Sequence, residues 1–236
     1  MAPRVSIDCF HEHLAPVSAQ TAIVAIDVIR ATTTATTAAA AGHTVYPAGS
    51  IEAAVRLAAD LDRPLLAGEL GGVQPYGFDL QNSPTQMLAV PPSDRPIILL
   101  STSGTRLVSE AALRGTTYLA CLRNVSAQAD HLAAQERDVV ILGADSRGEF
   151  RAEDQLCAAR IADALVRHGY SAQGAVTETV LADWADAADD AFVGGPSSRY
   201  LEDTGQAEDL HFVLGHIDDL ATVFTIEQGA VRAEPS

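Results

Sequence analysis

The chain has 236 residues, 47% of them hydrophobic and 19% charged, with 17 Gly and 11 Pro; this describes an ordinary globular protein of one large or two small domains. All 15 basic residues are Arg, which excludes lysine Schiff-base chemistry, lysine-held pyridoxal phosphate and a P-loop lysine. A formal charge of −16 repels nucleic acid and anionic lipid, so any anion site must be a local gathering of Arg, backbone N–H groups or metal.

Apolar runs of strand length alternate with helical stretches. Residues 21–29 (TAIVAIDVI) read as a buried strand and 31–41 as an Ala/Thr helix stopped at Gly42. A short strand at 43–47 is followed by a helix capped by Ser50 and running to about 61. Residues 64–67 form another short strand, and 68–83 a long glycine-containing loop. Ser83 and Pro84 supply the cap and first position of a short helix to 90. Residues 96–102 (PIILLST) read as a second buried strand before a helix over 105–114. A strand at 116–121, a helix after Asn124 and a strand at 138–143 repeat the pattern. A long helix over 153–168 ends at Gly169, shorter helices follow, and 223–233 reads as a hairpin turned at Gln228-Gly229. The alternation predicts an α/β fold with a mostly parallel sheet, divided near residue 120 into a 1–120 and a 121–236 domain.

Cys9, Cys121 and Cys157 show no CxxC spacing, which fits a reducing compartment, and Cys157 falls at an inward-facing helical position. The opening MAPRVSIDCFHEH carries Asp8, His11, Glu12 and His13 where a signal peptide is apolar. No apolar run approaches the ~20 residues of a membrane span. A cytoplasmic protein is expected, with no membrane or nucleic-acid partner; its oligomeric state is open, a homodimer being one candidate assembly. His11-Glu12-His13 lacks the spacing of a helical zinc site and reads as surface. Trp184 and residues 182–191 read as an exposed helix face.

Four segments place unusual residues beyond strand ends, where open α/β sheets bind ligands. In the first, Asp27 ends an apolar strand and Arg30 begins a helix rich in threonine. Asp27 must be paired or bound to a cation, since an uncompensated buried carboxylate is costly. Either Asp27 and Arg30 form a structural ion pair, or Asp27 is a metal ligand or catalytic carboxylate and Arg30, Thr32 and Thr33 clamp an anion. The second segment is the loop from Gly68-Glu69 to Asp79 and Asn82-Ser83-Pro84, either a binding loop or a plain surface loop. The third is Ser101-Thr102-Ser103-Gly104-Thr105-Arg106, which suits a phosphate or carboxylate or is simply a cap. The fourth runs from Gly143 to Glu153-Asp154, acids that either complement a helix dipole or ligate a cation. The candidate ligands are all oxygens, from Asp27, Glu69, Asp79 and Asp154, and suit Mg²⁺.

Together these segments resemble the 2-phosphosulfolactate phosphatase, or ComB, family. The resemblance is carried in order by IDVIRATTT (26–34), AGELGG (67–72), GFDLQNSP (77–84), STSGTR (101–106) and GEFRAEDQLCAARI (148–161). It continues through SSRYLEDTG (197–205) and the acidic-apolar helix beyond. Ser103 stands where the family usually has Asn, Gln81 where it has Gly, and Ser198 where a Gly precedes the Arg. The resemblance implies two α/β domains with the active site between them. It also implies Mg²⁺-dependent hydrolysis of a phosphate ester on a sulfonated hydroxy acid, whose product leads toward coenzyme M. The reading is therefore a phosphatase in which Asp27, Glu69 and Asp154 hold the metal and Asp27, Arg30 and Asp79 are catalytic. Thr32, Thr33, Asn82, Ser83, Thr102, Ser103, Gly104, Thr105, Arg106 and Asn124 are expected at a small anionic, phosphorylated substrate. The rival readings are a phosphatase of another phosphorylated hydroxy acid and a non-catalytic sensor of an anionic metabolite.

Overall fold

The computed structural model describes residues 2–10, 17–18, 20–91, 93–146 and 148–234, so His11-Glu12-His13 lies outside the described residues. The chain begins with β1 (Arg4–Phe10), β2 (Ala22–Ile26), α1 (Ala31–Ala40), β3 (Val45–Ala48) and α2 (Ile51–Asp60). Next come β4 (Leu65–Gly68), α3 (Pro84–Ala89), β5 (Ile97–Leu100), α4 (Gly104–Ala112) and β6 (Thr117–Ala120). A 3₁₀ turn (Leu122–Asn124) leads into α5 (Val125–Gln135), β7 (Val139–Ser146), β8 (Glu149–Phe150), α6 (Ala152–Arg167) and β9 (Ser171–Ala172). The chain closes with α7 (Ala175–Trp184), α8 (Pro196–Asp203), α9 (Ala207–Gly215), β10 (Phe224–Glu227) and β11 (Ala230–Ala233). The α/β class is as expected from sequence. β1 escapes the apolar-run pattern, because Ser6 and Asp8 interrupt it.

The strands form one mixed sheet in the order β4-β5-β3-β11-β10-β6-β2-β7-β1-β9, with β8 paired to β7. Two blocks are parallel inside themselves: β4-β5-β3, and β6-β2-β7-β1-β9. Between them lies the antiparallel hairpin β10-β11, which pairs antiparallel with β6 on one side and β3 on the other. Its turn places Gln228 and Gly229 at φ 51° and 78°, the doubly left-handed geometry expected of this dipeptide. Three successive antiparallel pairings leave the two blocks pointing in opposite nominal directions. At about 20–25° of twist per neighbouring pair, the six steps from β4 to β2 add roughly 120–150°. That rotation brings the carboxyl ends of both blocks toward a single mouth.

Side-chain alternation divides the core by face. Ile23 and Ala25 of β2, Ile97 and Leu99 of β5, and Leu142 of β7 pack with Leu107 and Val108 of α4 and Ala35 of α1. On the opposite face, Val24, Ile26 and Ile141 pack with Leu156, Ile161 and Leu165 of α6, while Ile98 and Leu100 meet α2. Each such Val, Leu or Ile side chain contributes about 1.5–3 kcal/mol by leaving water. α1 is buried over Ala31–Ala38, and its Ala/Thr composition follows: larger residues would not fit where a helix is covered on nearly every side. Cys157 is fully buried, as its spacing predicts. Trp184 instead packs half-buried against the α6 core, because α7 lies flat on β1 and α6 rather than standing in solvent. Among the described residues no helix is long and apolar enough to cross a membrane.

Candidate active site

At the common mouth of the two blocks lies a cavity of about 200 Å³. Six of its lining residues are ones the sequence singles out at strand ends or helix starts: Asp27, Glu69, Asn82, Thr102, Ser103 and Asp154. Arg30 lines it as well.

The turn from β2 to α1 positions Asp27 and Arg30. The Asp27 carbonyl accepts the N–H of Thr32 at 3.0 Å and its hydroxyl at 2.8 Å. The Thr32 hydroxyl accepts the Asp27 N–H at 2.9 Å, and the Thr33 hydroxyl donates to the Val28 carbonyl at 2.7 Å. Both hydroxyls are thus buried and spent on backbone, which corrects their expected role as anion ligands. Asp27 does not pair with Arg30. The Arg30 Nη1 lies 2.5 Å from Asp209 Oδ2, with both side chains 4% exposed. Asp209 Oδ1 also accepts the hydroxyls of Ser83 at 2.7 Å and Thr85 at 2.6 Å, tying α9 to the start of α3. Ser83 therefore acts on this carboxylate and as the α3 cap, and is not among the residues lining the cavity.

The third segment brings α4 against Asp27. A Cβ on Gly104 would stand 2.0 Å from Asp27 Oδ2 and 2.7 Å from the Ala31 Cβ, so only glycine permits this approach. Thr105 turns away from the cavity: its hydroxyl accepts the Ser101 N–H at 2.7 Å and donates to the Ser101 carbonyl at 3.0 Å. Arg106 stacks over Phe10 at 5.9 Å instead of lining the cavity. Asn124 is buried as a local cap, its Oδ1 accepting the Cys121 N–H at 3.0 Å. At Thr105 and Asn124, as at Thr32 and Thr33, an atom read as a ligand satisfies nearby backbone, a demand that buried turns make first.

Glu69 fastens the glycine loop across the two ends. Its Oε1 accepts the Thr102 N–H at 2.6 Å, and its Oε2 accepts the Gly72 N–H at 2.6 Å and the Thr102 hydroxyl at 2.9 Å. Asp79 is not brought to the cavity. Its Oδ2 accepts the Leu66 N–H at 2.8 Å, pinning the loop back onto β4. Asn82 does reach the wall, is buried, and has an Oδ1 with no hydrogen-bond partner.

Electrostatics separate the acids by role. Burial, followed by the Glu69 charge, pushes the Asp27 carboxyl up to about 7. Burial, then the charges of Asp27 and Glu153, holds Asp154 well above the usual carboxylate range. Glu153 is raised by burial too, against a hydrogen bond from Ser197. Asp154 Oδ1 accepts the Val28 N–H at 2.7 Å, which fixes it beside the Asp27 turn. Among the described residues neither Asp27 nor Asp154 has a salt-bridge partner. Two buried, mutually repelling oxygen donors fit Mg²⁺, which takes one or two carboxylates and completes its shell with water and phosphate oxygens. A full protein cage is not formed: among the described residues no three His, Cys, Asp or Glu side chains are grouped for a metal.

Three wall or support residues escape the sequence reading. Arg151, just before α6, lines the cavity. Tyr200 of α8 donates from its hydroxyl to the Gly72 carbonyl at 2.6 Å, strapping the C-terminal helices to the loop. Asp209 stands in the first turn of α9, where an acid ordinarily answers the helix dipole. Its burial is the only distinguishing mark, and burial is not visible at one helical position.

Comparison with known proteins shows the family of the chain. A family model described as 2-phosphosulpholactate phosphatase matches residues 9–229. The chain is 33% identical over 224 residues to a "Probable 2-phosphosulfolactate phosphatase" from Caldanaerobacter subterraneus subsp. tengcongensis, covering 89% of each protein. It is 40% identical over 134 residues to a protein of the same name from Carboxydothermus hydrogenoformans, covering 56% of each. Another from Symbiobacterium thermophilum is 43% identical over 141 residues, 58% of this chain and 60% of that one. With the matched segments carrying Asp27, Glu69 and Asp154 into one cavity, the chain belongs to the 2-phosphosulpholactate phosphatase family.

Proposed function

We propose that this protein is a Mg²⁺-dependent phosphoric monoester hydrolase acting on a small acid that carries a second anionic group, with 2-phosphosulfolactate as the leading substrate. One observation carries the reading: two buried carboxylates, Asp27 and Asp154, neither in a salt bridge among the described residues, share a cavity with a guanidinium held rigidly by a buried partner. Asp27 and Asp154 are the residues that would hold the metal. Bound there, Mg²⁺ neutralises phosphate charge and lowers the pKa of a coordinated water. Arg30 faces the phosphoryl group, and Ser103 offers the start of α4 to its oxygens, while the donors of Thr102 hold Glu69. The loop held by Glu69 and Tyr200 lines the cavity through Gly71 and Gly72. Hydrolysis breaks the ester P–O bond, water supplies the new oxygen on phosphorus, and the leaving alkoxide takes a proton. The product from the leading substrate is sulfolactate, which leads toward coenzyme M in the route that the resemblance implies. A cytoplasmic location accompanies this proposal, in keeping with three cysteines that lack CxxC spacing, and a homodimer is one candidate assembly.

The test is phosphate release from 2-phosphosulfolactate and a panel of phosphorylated hydroxy acids, each with Mg²⁺ and with EDTA. Release that needs Mg²⁺ is expected. Tight anion binding without release from any ester, and without a need for Mg²⁺, would replace the enzyme by a metabolite sensor.

A further inference from the structure

Among the described residues two guanidinium groups line the cavity, those of Arg30 and Arg151, and they are held very differently. Arg30 is committed: its carboxylate partner is as buried as itself and also anchors Ser83 and Thr85. Releasing that partner would strand two charges away from water. Arg151 is nearly as buried, with its side chain 11% exposed, yet its carboxylate partner is not. Its Nη1 lies 2.5 Å from Oε2 of Glu149, whose side chain is 63% exposed on the short β7-β8 hairpin. Its Nη2 donates to the Ser146 hydroxyl at 3.2 Å, and its Nε is buried without any acceptor.

We infer that Arg151 is the specificity residue of this site, exchanging Glu149 for the second anionic group of the substrate, a carboxylate or a sulfonate. The inference rests on the phosphatase reading for the identity of that substrate. Three physical points support it. An ion pair whose acid is in water is worth little, so giving up Glu149 costs little. A planar guanidinium inside a cavity matches the paired oxygens of a carboxylate or sulfonate. The other charged walls, Asp27, Glu69 and Asp154, repel an anion, and Arg30 is already paired. A ligand with two anionic ends therefore meets an exchangeable cation only at Arg151 among the described walls.

The decisive experiment is calorimetric binding with Mg²⁺ present, so that it does not depend on turnover. The probes are sulfolactate (both groups), lactate (carboxylate alone), isethionate (sulfonate alone) and inorganic phosphate. Arg151→Gln is expected to weaken sulfolactate about 10- to 100-fold, the scale of a lost hydrogen bond to a charged group, while phosphate changes less than about 3-fold. Lactate and isethionate show which anionic group Arg151 reads. Glu149→Gln, which leaves the buried side untouched, is expected to tighten sulfolactate about 2- to 5-fold, the scale of an exposed ion pair. Equal losses for sulfolactate and phosphate in Arg151→Gln, no binding of sulfolactate by the wild type, or no tightening in Glu149→Gln would each overturn the exchange. If this binding pattern holds but the wild type hydrolyses no ester, the anion site stands and the phosphatase reading falls. If hydrolysis occurs without the pattern, the phosphatase reading stands and the anion site falls.

Discussion

The two arginine corners of the cavity use the same side chain for opposite purposes, and the difference lies in what faces them. Arg30 meets Asp209 at 4% exposure on both sides, within a knot that also begins α3. Arg151 meets Glu149, itself 63% exposed, on a two-residue strand. A buried pair is costly to break because each partner becomes an uncompensated charge, whereas an exposed pair has water as a ready substitute. Position within the fold, rather than residue type, decides which cation is scaffold and which is free to choose a ligand.

The sharpest way to break this contrast is Asp209→Ala. It should cost about 3–5 kcal/mol of stability in a denaturant titration, because it strands Arg30 and unties the start of α3. A loss under about 1 kcal/mol would put the two corners on the same footing. At the same wall, Asp27→Asn should lower turnover on the leading substrate at least ~100-fold with the fold intact by circular dichroism. Near-normal turnover would remove Asp27 from the chemistry. Gly104→Ala forces a methyl into the space held by Asp27 Oδ2, 2.0 Å away. It should destabilise by about 1–3 kcal/mol and impair phosphate release from the leading substrate; a neutral variant would mean that α4 and Asp27 can separate freely.

A pH series separates the buried acids from the surface pairs. Asp27, Glu153 and Asp154 all titrate above their unfolded values in the metal-free protein. Between the ordinary carboxylate range and about 7 the folded state then binds more protons than the unfolded chain. Stability should fall as pH rises through that window, and Mg²⁺ should flatten the slope. Asp138 and Asp219, held low by hydrogen bonds from Arg4 and Arg123, act in the opposite sense and only under more acidic conditions. A melting temperature that climbs from about pH 4 to about pH 7 without metal would contradict the buried-acid account. The smallest effect is expected at the rim: Glu149→Gln should change stability by less than about 1 kcal/mol.

Much of this cavity is legible along the chain. Asp27, Glu69, Asn82, Thr102, Ser103 and Asp154 are each marked by following an apolar strand or opening a helix, and all six line one cavity. The same reasoning overreaches at Thr32, Thr33, Thr105 and Asn124, whose polar atoms close the very turns that make them conspicuous. Asp79 misleads for a related reason, since an acid near a strand end can pin that strand by accepting a backbone N–H.

By itself the sequence determined the alternation of strands and helices, the caps at Ser50 and Ser83, the Gln228-Gly229 turn and the strand-end acids. Those features depend on neighbours within a few residues, where side-chain period and backbone hydrogen bonding dominate. The tertiary structure decided that Arg30 is paired with Asp209, 179 positions away, rather than with nearby Asp27. It also decided that Arg151 faces the same cavity and that the ends of two opposed strand blocks converge. Such contacts are set by the accumulated twist of the sheet and by which faces bury against α1, α4 and α6, quantities that exist only once the whole core has packed.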